Sequence, residues 1–291
     1  MSAGRSVVVT GASTGIGLGT AKVALRNGAR VFGSVRKSAD AERLRQELGA
    51  SFTPLLFDVT DQAAVQRAAA EVREHLQGST LSGLVNNAGV AVSGPALELS
   101  PDDFRKQLEV NVVGPFMVTQ AFAPLLGKDR ALQGPPGRIV NVSSVGGKMG
   151  APFLGAYVAS KHALEGWSES LRRELMLYGI DVIVVGPGTV ATPIWDKADK
   201  EDLARYDRSD YREALHKFKD FMVKNGPTGL PPERIGEVIW TALTGRSPKV
   251  RYAVVPGAFA NWILPTTLPK RMVDRLIAGR LGLVRGRKPA P

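Results

Sequence analysis

Short runs of β-branched residues alternate with longer amphipathic stretches over the first 190 residues of the chain. The first run, residues 6–10, has no polar alternation, which is typical of a strand buried on both faces. The stretch after it, 15–27, has helical periodicity and is stopped by Gly28. Strands that alternate with helices of this length predict βαβ units and a parallel sheet. The sequence therefore predicts an α/β fold, in which one doubly wound domain has a parallel sheet of about seven strands flanked by helices.

The same pattern predicts the other elements. We expect strands at 6–10, 29–35, 51–57, 81–86, 137–142, 180–185 and 252–255, and helices at 15–27, 39–48, 61–76, 101–126, 155–178 and 232–244. Ser100 and Pro101 are typical of a helix start, whereas Pro115 and Pro124 should kink or shorten the helix that follows. Ligands of such sheets bind at the carboxyl ends of the strands, so we expect the functional residues there.

Composition excludes several classes of protein and site. The 291 residues are 44% hydrophobic and 22% charged, as in an ordinary globular protein. The absence of cysteine excludes a disulfide framework, a thiolate nucleophile and a cysteine-ligated metal. The three histidines are scattered, so no metal site is expected. We find no secretory signal and no run of about 18 apolar residues, and therefore expect a cytoplasmic protein.

The net charge of +11 has two interpretations. It can attract a polyanion, such as nucleic acid or an acidic membrane surface, or it can belong to a basic tail and a site for a phosphate-bearing cofactor. Residues 270–288 contain seven lysines and arginines against one acid, Asp274, which is more than half of the net charge. No nucleic-acid-binding motif accompanies these charges, so nucleic acid is not an expected partner.

A glycine-rich turn at residues 10–17 joins the first strand to the first helix. Glycines permit a tight turn and let the backbone approach a pyrophosphate. The helix N-terminus offers free N–H groups and a partial positive charge to that anion. An ordinary tight turn is the alternative, which the surrounding βαβ pattern disfavours. The candidate cofactor-binding residues of this turn are Gly11, Ser13, Thr14, Gly15, Ile16 and Gly17.

The G-x3-G-x-G spacing of this turn differs from the general dinucleotide fingerprint and resembles the cofactor loop of the classical short-chain dehydrogenase/reductase family. The resemblance spans most of residues 5–255 and implies a Rossmann-type catalytic domain over 1–257, with a mobile substrate lid at 193–226. Residues 258–291 are the least similar part, and we interpret them as a basic amphipathic extension. Further motifs match the family in order at successive strand ends, which implies that they line the nicotinamide cofactor. These residues are Asp58, Val59, Asn86, Ala88, Gly89, Pro187, Gly188, Val190 and Thr192.

The end of the second predicted strand indicates which nicotinamide is bound. An acidic residue there usually binds the ribose 2′-hydroxyl of NAD(H), but this chain has Val35 followed by Arg36 and Lys37. A guanidinium can bind a 2′-phosphate in bidentate fashion. Arg36 therefore predicts NADP(H) in preference to NAD(H), with two solvated loop charges as the alternative. The family often adds a basic residue inside the glycine loop, where this chain has the neutral Ser13 and Thr14.

Tyr157 and Lys161 are four residues apart, which places them on one face of the predicted helix. A free tyrosine has a pKa of about 10, and a nearby ammonium is expected to lower it. Tyr157 is thus a candidate acid/base that exchanges a proton with a carbonyl or alcohol oxygen. Such Tyr-x-x-x-Lys pairs are common by chance, and it is the position of this pair after the fifth predicted strand that indicates a catalytic role. The resemblance implies that both residues contact the cofactor, that Ser144 (with Ser143 as its rival) orients the substrate oxygen, and that Asn111 holds a proton-relay water.

The resemblance implies an NADP(H)-dependent oxidoreductase that transfers a hydride between the nicotinamide and a carbonyl/alcohol pair. A hydrophobic substrate of the steroid, retinoid or aryl kind is suggested by apolar residues near the site, unless they only pack the lid: Met149, Phe153, Leu154, Ile194 and Trp195. The alternative function is a cofactor-sensing protein without turnover, which would need only the glycine loop. The resemblance also implies a homodimer or homotetramer through the helix of the Tyr-Lys pair. The basic tail would allow peripheral membrane contact.

Overall fold

Seven parallel strands form one sheet in this computed structural model, which describes residues 4–200, 202–258 and 262–284. The strands are β1 (Ser6–Val9), β2 (Arg30–Val35), β3 (Phe52–Leu56), β4 (Gly83–Asn86), β5 (Arg138–Val142), β6 (Asp181–Pro187) and β7 (Arg251–Val254). Their order across the sheet is β3-β2-β1-β4-β5-β6-β7. The chain therefore reverses its direction of travel across the sheet between β3 and β4, as a doubly wound fold does. The predicted α/β fold is confirmed.

The predicted helices outside 101–126 lie close to their predicted positions, and further helices lie between residues 194 and 225 and after β7. The helices of the described residues are α1 (Gly15–Arg26), α2 (Ser38–Leu48), α3 (Gln62–Leu76), α4 (Pro101–Leu108), α5 (Gly114–Phe122), α6 (Gly155–Leu175), α7 (Ile194–Asp199), α8 (Arg212–Asn225), α9 (Pro232–Thr244), α10 (Leu264–Thr267) and α11 (Lys270–Leu281). Ser100 caps α4 as expected, since its side chain accepts a hydrogen bond of 3.0 Å from the N–H of Asp103.

The long helix predicted over 101–126 changes its winding twice. A π-helical turn, Glu109–Val113, separates α4 from α5, and a 3-10 turn, Ala123–Leu126, ends it. Pro115 has no N–H to donate and its ring crowds the preceding turn, so a regular helix cannot pass this point unchanged. The wider π turn accommodates the proline, and it is the turn that carries Asn111.

Apolar layers cover both faces of the sheet. Val8 and its counterparts in β4 and β5 pack against α3 and α5. Val7 and Val9 point to the opposite face, as alternation along a strand requires, and pack against α1, α2 and α9. Two helices on that second face approach closely, since a Cβ on Gly19 of α1 would lie 2.7 Å from the backbone of Pro232 at the start of α9. The carboxyl ends of the strands remain accessible between these layers.

A third apolar cluster joins the region after β6 to the C-terminal segment. Its buried members include Phe153, Tyr206 and Leu215, and Leu281 and Leu283 pack against them. The C-terminal segment thus packs on its own chain at this point. Residues 259–261 and 285–291 of the predicted extension lie outside the described residues. Within the described ranges, no helix is both long and apolar enough to cross a membrane.

Candidate active site

The glycine-rich turn ends in a helix N-terminus that its own residues leave uncapped. Thr14 is the N-cap of α1, but its side chain makes no capping hydrogen bond, and the first turn has no acidic residue. The leading N–H groups of a helix need a partner from outside the helix. The Gly11 N–H, by contrast, donates to Ser34 Oγ at 2.9 Å, which fixes the turn against β2. The described turn therefore offers N–H donors and positive potential to a phosphate, and a dinucleotide pyrophosphate fits it.

The turn is fixed from its other side by the loop after β4. Asn87 Nδ2 donates to the carbonyl oxygens of Thr10 (2.8 Å) and Gly11 (3.2 Å). The Ala88 N–H donates to Thr10 Oγ1 at 3.0 Å. Gly17 lies against the same carbonyl, because a Cβ there would overlap the Gly11 oxygen and would lie 2.6 Å from Asn87 Nδ2. Sequence reasoning did not select Asn87, although it directly follows the selected Asn86.

Asn86 lies inside the sheet and ties strands together. Its Nδ2 donates to Asn141 Oδ1 at 2.8 Å and to Thr119 Oγ1 at 3.0 Å. The residue is 2% exposed. Asn86 thus connects β4 with β5 and α5. Among its predicted neighbours, Ala88 contacts the glycine turn and Gly89 lies beside Asn111 Oδ1.

Two arginines lie at the end of the site that would face a ribose. Arg36 is exposed, and its Nη1 lies 3.6 Å from Asp58 Oδ2. Burial alone would raise the pKa of Asp58, but hydrogen bonds from Thr60 and the Arg36 guanidinium outweigh it and hold that pKa below its ordinary value. Arg43 Nη2, from α2, donates to the carbonyl of Ser13 at 2.8 Å. Sequence reasoning missed Arg43 because the contact of α2 with the turn is tertiary.

Ser144 and Tyr157 flank one point at the carboxyl end of β5. A Cβ placed on Gly146 would lie 3.4 Å from Ser144 Oγ and 3.5 Å from the Tyr157 ring. The Gly146 N–H donates to Ser144 Oγ at 3.0 Å. Gly146 thus leaves open the space that the two hydroxyl-bearing side chains share.

Lys161 lies one turn after Tyr157 on α6. Its Nζ is 5.7 Å from the centre of the Tyr157 ring and donates to the carbonyl of Val142 at 2.9 Å. The residue is 6% exposed. Burial lowers the pKa of Lys161 to about 8, and the negative charge of Glu165 acts in the opposite direction.

The expectation that Lys161 lowers the net pKa of Tyr157 is wrong. Burial raises the pKa of Tyr157 above its ordinary value, and a hydrogen bond with Ser144 only partly opposes this effect. Burial disfavours the phenolate because the charged form loses its solvation. Tyr157 is therefore protonated at neutral pH, and it is equipped to donate a proton.

Ser143 and Ser144 have different partners. Ser143 is 4% exposed, and its hydroxyl donates to Glu165 Oε1 at 2.9 Å. Ser144 is less buried and lies on the side of Tyr157. The geometry thus favours Ser144 over Ser143 as the serine that can meet a substrate oxygen.

Asn111 connects the π turn to the loop after β4 and to α6. Its Oδ1 accepts from the Val90 N–H at 2.9 Å, while its Nδ2 donates to the Val90 carbonyl at 3.0 Å and to Ser160 Oγ at 3.1 Å. Ser160 directly precedes Lys161. The structure thus brings Asn111 to the catalytic helix, with its side chain committed to these three contacts.

The loop after β6 closes the site. Thr192 lies beside the glycine turn, because a Cβ on Gly15 would be 3.2 Å from its Cγ2. The Gly188 N–H donates to the Val254 carbonyl at 2.9 Å, following the β6–β7 pairing through Pro187. Trp195 Nε1 donates to the Val190 carbonyl at 2.7 Å. Trp195 therefore packs against the loop after β6, and Phe153 packs edge-on against Tyr211 and Phe218.

Comparison with known families gives the identity of this arrangement. The model of the short chain dehydrogenase family matches residues 5–203, more than half of the chain. The chain belongs to the short-chain dehydrogenase family. This enzyme is an oxidoreductase that acts on CH–OH groups with a nicotinamide cofactor. Among the described residues, no cluster of three or more histidines and acids could hold a metal.

Several relatives cover nearly the whole enzyme. An NADPH-dependent 3-dehydrocapnine reductase of Ornithobacterium rhinotracheale is 38% identical over 272 residues, covering 94% of this chain and 95% of the relative. Retinol dehydrogenase 5 of Homo sapiens is 34% identical over 283 residues, covering 93% and 87% respectively. A crystal structure of a short-chain dehydrogenase from Streptomyces avermitilis superposes with a TM-score of 0.74 at 25% identity, covering 97% of this chain and 98% of that one.

Proposed function

We propose that this enzyme is an NADP(H)-dependent oxidoreductase that reduces the carbonyl group of a hydrophobic substrate, with Tyr157 as the proton donor. The observation that carries the proposal is the shared space between Ser144 and Tyr157, beside the buried Lys161. The bound nicotinamide supplies the hydride. Ser144 orients the carbonyl oxygen by hydrogen bonding, and Tyr157 gives that oxygen its proton.

The protonation state of Tyr157 suits it to donate a proton at neutral pH. Its raised pKa keeps the hydroxyl protonated, so the donor is ready when the carbonyl oxygen becomes basic. Oxidation of an alcohol would first require the phenolate. The Lys161 ammonium is proposed to return the donated proton, and a relay water held at Asn111, which contacts Ser160 beside Lys161, would connect it with solvent.

The glycine-rich turn and the loops at the neighbouring strand ends are proposed to hold the cofactor. The first turn of α1 would bind the pyrophosphate, with the glycine turn and Thr192 on either side. Asp58 and Val59 would lie at the adenine side, and Gly89, Pro187, Gly188 and Val190 at the nicotinamide side. Arg36 would bind the 2′-phosphate, and Arg43 adds a second positive charge near the turn.

Arg36→Ala tests the cofactor preference. Losing a charge-assisted hydrogen bond of about 1.5–3 kcal/mol should lower kcat/KM for NADPH roughly ten- to a hundredfold. The value for NADH should stay nearly unchanged, because NADH has no 2′-phosphate. Steady-state kinetics with both cofactors measures this. Arg45→Ala is the control, since Arg45 is an exposed arginine of α2 that pairs with Glu42. An equal loss with both cofactors would contradict the role of Arg36.

An apolar cavity supports a hydrophobic substrate. The loop after Ser144 and the C-terminal segment flank a half-open cavity of about 550 Å³, a volume typical of ligand sites. Apolar side chains dominate its lining, which includes Met149, Ala151, Pro152, Pro265, Val273 and Ile277. The names of the relatives, a retinol dehydrogenase and a 3-dehydrocapnine reductase, agree with this class. We propose that residues 193–226 form the lid over this side of the site.

The experiment that tests the proposed function follows NADPH and NADH consumption with hydrophobic ketones and aldehydes. Turnover with NADPH preferred supports the proposal, and the active compounds define the substrate class. Preference for NADH would overturn the cofactor assignment. NADPH binding without turnover across the panel would favour a cofactor-sensing protein instead.

An exposed phenylalanine packed on a partly buried tryptophan supports a homo-oligomer. Phe116 of α5 is 43% exposed and meets Trp167 of α6 edge-on, at 6.2 Å between ring centres. We propose that this face contacts a second copy of the chain in a homodimer or homotetramer.

Phe116→Glu should therefore dissociate the oligomer, because it places a charge in an apolar contact. Light scattering after size-exclusion chromatography measures the mass. Leu56→Glu is the control, since Leu56 is 59% exposed on the edge strand β3, far across the sheet. An unchanged mass for Phe116→Glu would place the interface elsewhere.

A further inference from the structure

Glu165 is a buried carboxylate on the same face of α6 as Tyr157 and Lys161, one turn beyond the lysine. Its side chain is 4% exposed. Ser143 Oγ donates to its Oε1 at 2.9 Å, and Lys148 Nζ lies 3.1 Å from its Oε2. Arg251 contributes two donors, with Nε at 3.0 Å from Oε2 and Nη2 at 2.8 Å from Oε1. Donors from two separate parts of the chain, the loop after β5 and the start of β7, thus converge on one carboxylate.

Arg251 extends this network to the reacting end of β5 and to the C-terminal segment. Its Nη2 lies 3.4 Å from the carbonyl oxygen of Ser144. Its guanidinium stacks on the Trp262 ring at 4.6 Å from the ring centre. Trp262 begins the segment whose later residues line the apolar cavity. Glu165 therefore connects the backbone of the candidate catalytic serine with the wall of the proposed substrate site.

The charge of Glu165 also acts on Lys161. A buried charge without partners is strongly unfavourable, yet Glu165 has enough of them to remain ionised. Burial would raise its pKa, but Arg251, Lys148 and Ser143 hold that pKa below its ordinary value. The resulting negative charge is the factor that opposes the effect of burial on the pKa of Lys161. The charged groups facing Glu165 in the described residues are thus Lys148, Lys161 and Arg251.

We propose that Glu165 is a positioning residue of the reaction, which holds Ser144 in place through Ser143 and Arg251 and sets a negative charge one helical turn from Lys161. This inference rests on the proposed function. Glu165 does not meet the substrate, since its carboxylate is enclosed by its donors. Glu165 instead acts on the position of Ser144 and on the charge of Lys161.

The sign of the electrostatic effect follows from the pair. Glu165 raises the pKa of Lys161, so Glu165→Gln should lower that pKa below about 8. The ammonium is fully present below its folded pKa and is lost as the pH rises through it. The alkaline limb of kcat should therefore move to lower pH by about one unit.

The deciding experiment titrates Lys161 directly by NMR in the full chain with isotope-labelled lysine, and Lys161→Arg identifies its signal. Glu165→Gln should lower the midpoint by about one pH unit. Glu169→Gln is the matched control, because Glu169 is one turn further along α6 but exposed, and it pairs with Arg173. Lys148→Met should raise the midpoint, since it removes a cation beside Glu165. Lys148 is half-exposed, so its replacement should leave the fold intact.

Kinetics provides the second readout. Glu165→Gln should lower kcat roughly twofold near pH 7 and close to tenfold near pH 9, since a Lys161 pKa lower by about one unit leaves that much less ammonium, while the KM for NADPH stays unchanged. A midpoint equal to that of the wild type overturns the proposal, even if the variant is less stable. If Glu165→Gln does not fold, Lys148→Met decides alone, and an unmoved or lowered midpoint overturns the proposal. The titration needs no substrate, so a failure of the proposed function, seen as wild-type enzyme without turnover, is distinguished from a failure of this inference.

Discussion

Tyr157→Phe should lower kcat by roughly 10²- to 10⁴-fold, the contribution typical of a positioned acid or base. The substitution removes one hydroxyl and leaves the ring, so the packing of α6 against the loop after β5 should persist. NADPH binding should survive because the proposed pyrophosphate and 2′-phosphate contacts lie elsewhere, at α1 and Arg36. The measurement is single-turnover reduction of an active ketone, with NADPH affinity determined by fluorescence.

Tyr178→Phe is the control for this result. Tyr178 lies in the turn that ends α6, packed against the apolar core away from Ser144. Its hydroxyl should be dispensable, so the variant should retain nearly full activity. A Tyr157→Phe enzyme that kept more than roughly a tenth of the wild-type rate would exclude Tyr157 as the proton donor.

Gly17→Ala should abolish NADPH binding and strongly destabilise the fold. The added methyl group would overlap the Gly11 carbonyl oxygen and would lie 2.8 Å from the Gly11 carbonyl carbon. These are backbone atoms of the cofactor turn, which Asn87 and Ser34 also hold, so they cannot move without opening the turn. Overpacking of a tight site typically costs about 1–3 kcal/mol. Chemical denaturation and NADPH titration measure the two effects.

Gly166→Ala is the matched control, because it makes the same change in another helix. A Cβ on Gly166 would have no heavy atom within 4 Å. Alanine is favoured over glycine in a helix by up to about 1 kcal/mol, so this variant should be as stable as the wild type or more so. Similar behaviour of the two variants would show that contact with the turn is not what requires a glycine at position 17.

The sequence predicted the sheet and its helices because their apolar runs and breaks are local. β6 continues to Pro187 rather than stopping at Val185, since its last residues pair with β7. That pairing joins segments far apart in the chain, and a local pattern cannot reveal it. The π turn at Asn111 was predicted only as a kink, because a proline marks the place of a distortion but not its form.

The sequence identified the site residues that belong to motifs. It missed those that reach the site only through tertiary contacts. Tyr157 and Lys161 were selected from their spacing, and Ser144 from the family resemblance; the structure brings all three together. Arg43 and the pair of Glu165 with Arg251 were not selected, since the latter partners are 86 residues apart. The sequence predicted a lowered pKa for Tyr157, whereas burial raises it. The error arose because burial is a property of the folded chain.

The close packing of α1 against α9 has a consequence for synthesis of the protein on the ribosome. The cofactor turn lies within the first 20 residues. The helix α1 that follows it packs against α9 at Gly19, and α9 ends only at Thr244. Nascent chains emerge N-terminus first, and partly folded forms expose apolar surface until their partners arrive. The face of α1 that α9 covers must therefore wait for most of the chain to be translated. An early translational stop would release a fragment that contains the whole glycine turn but exposes this face.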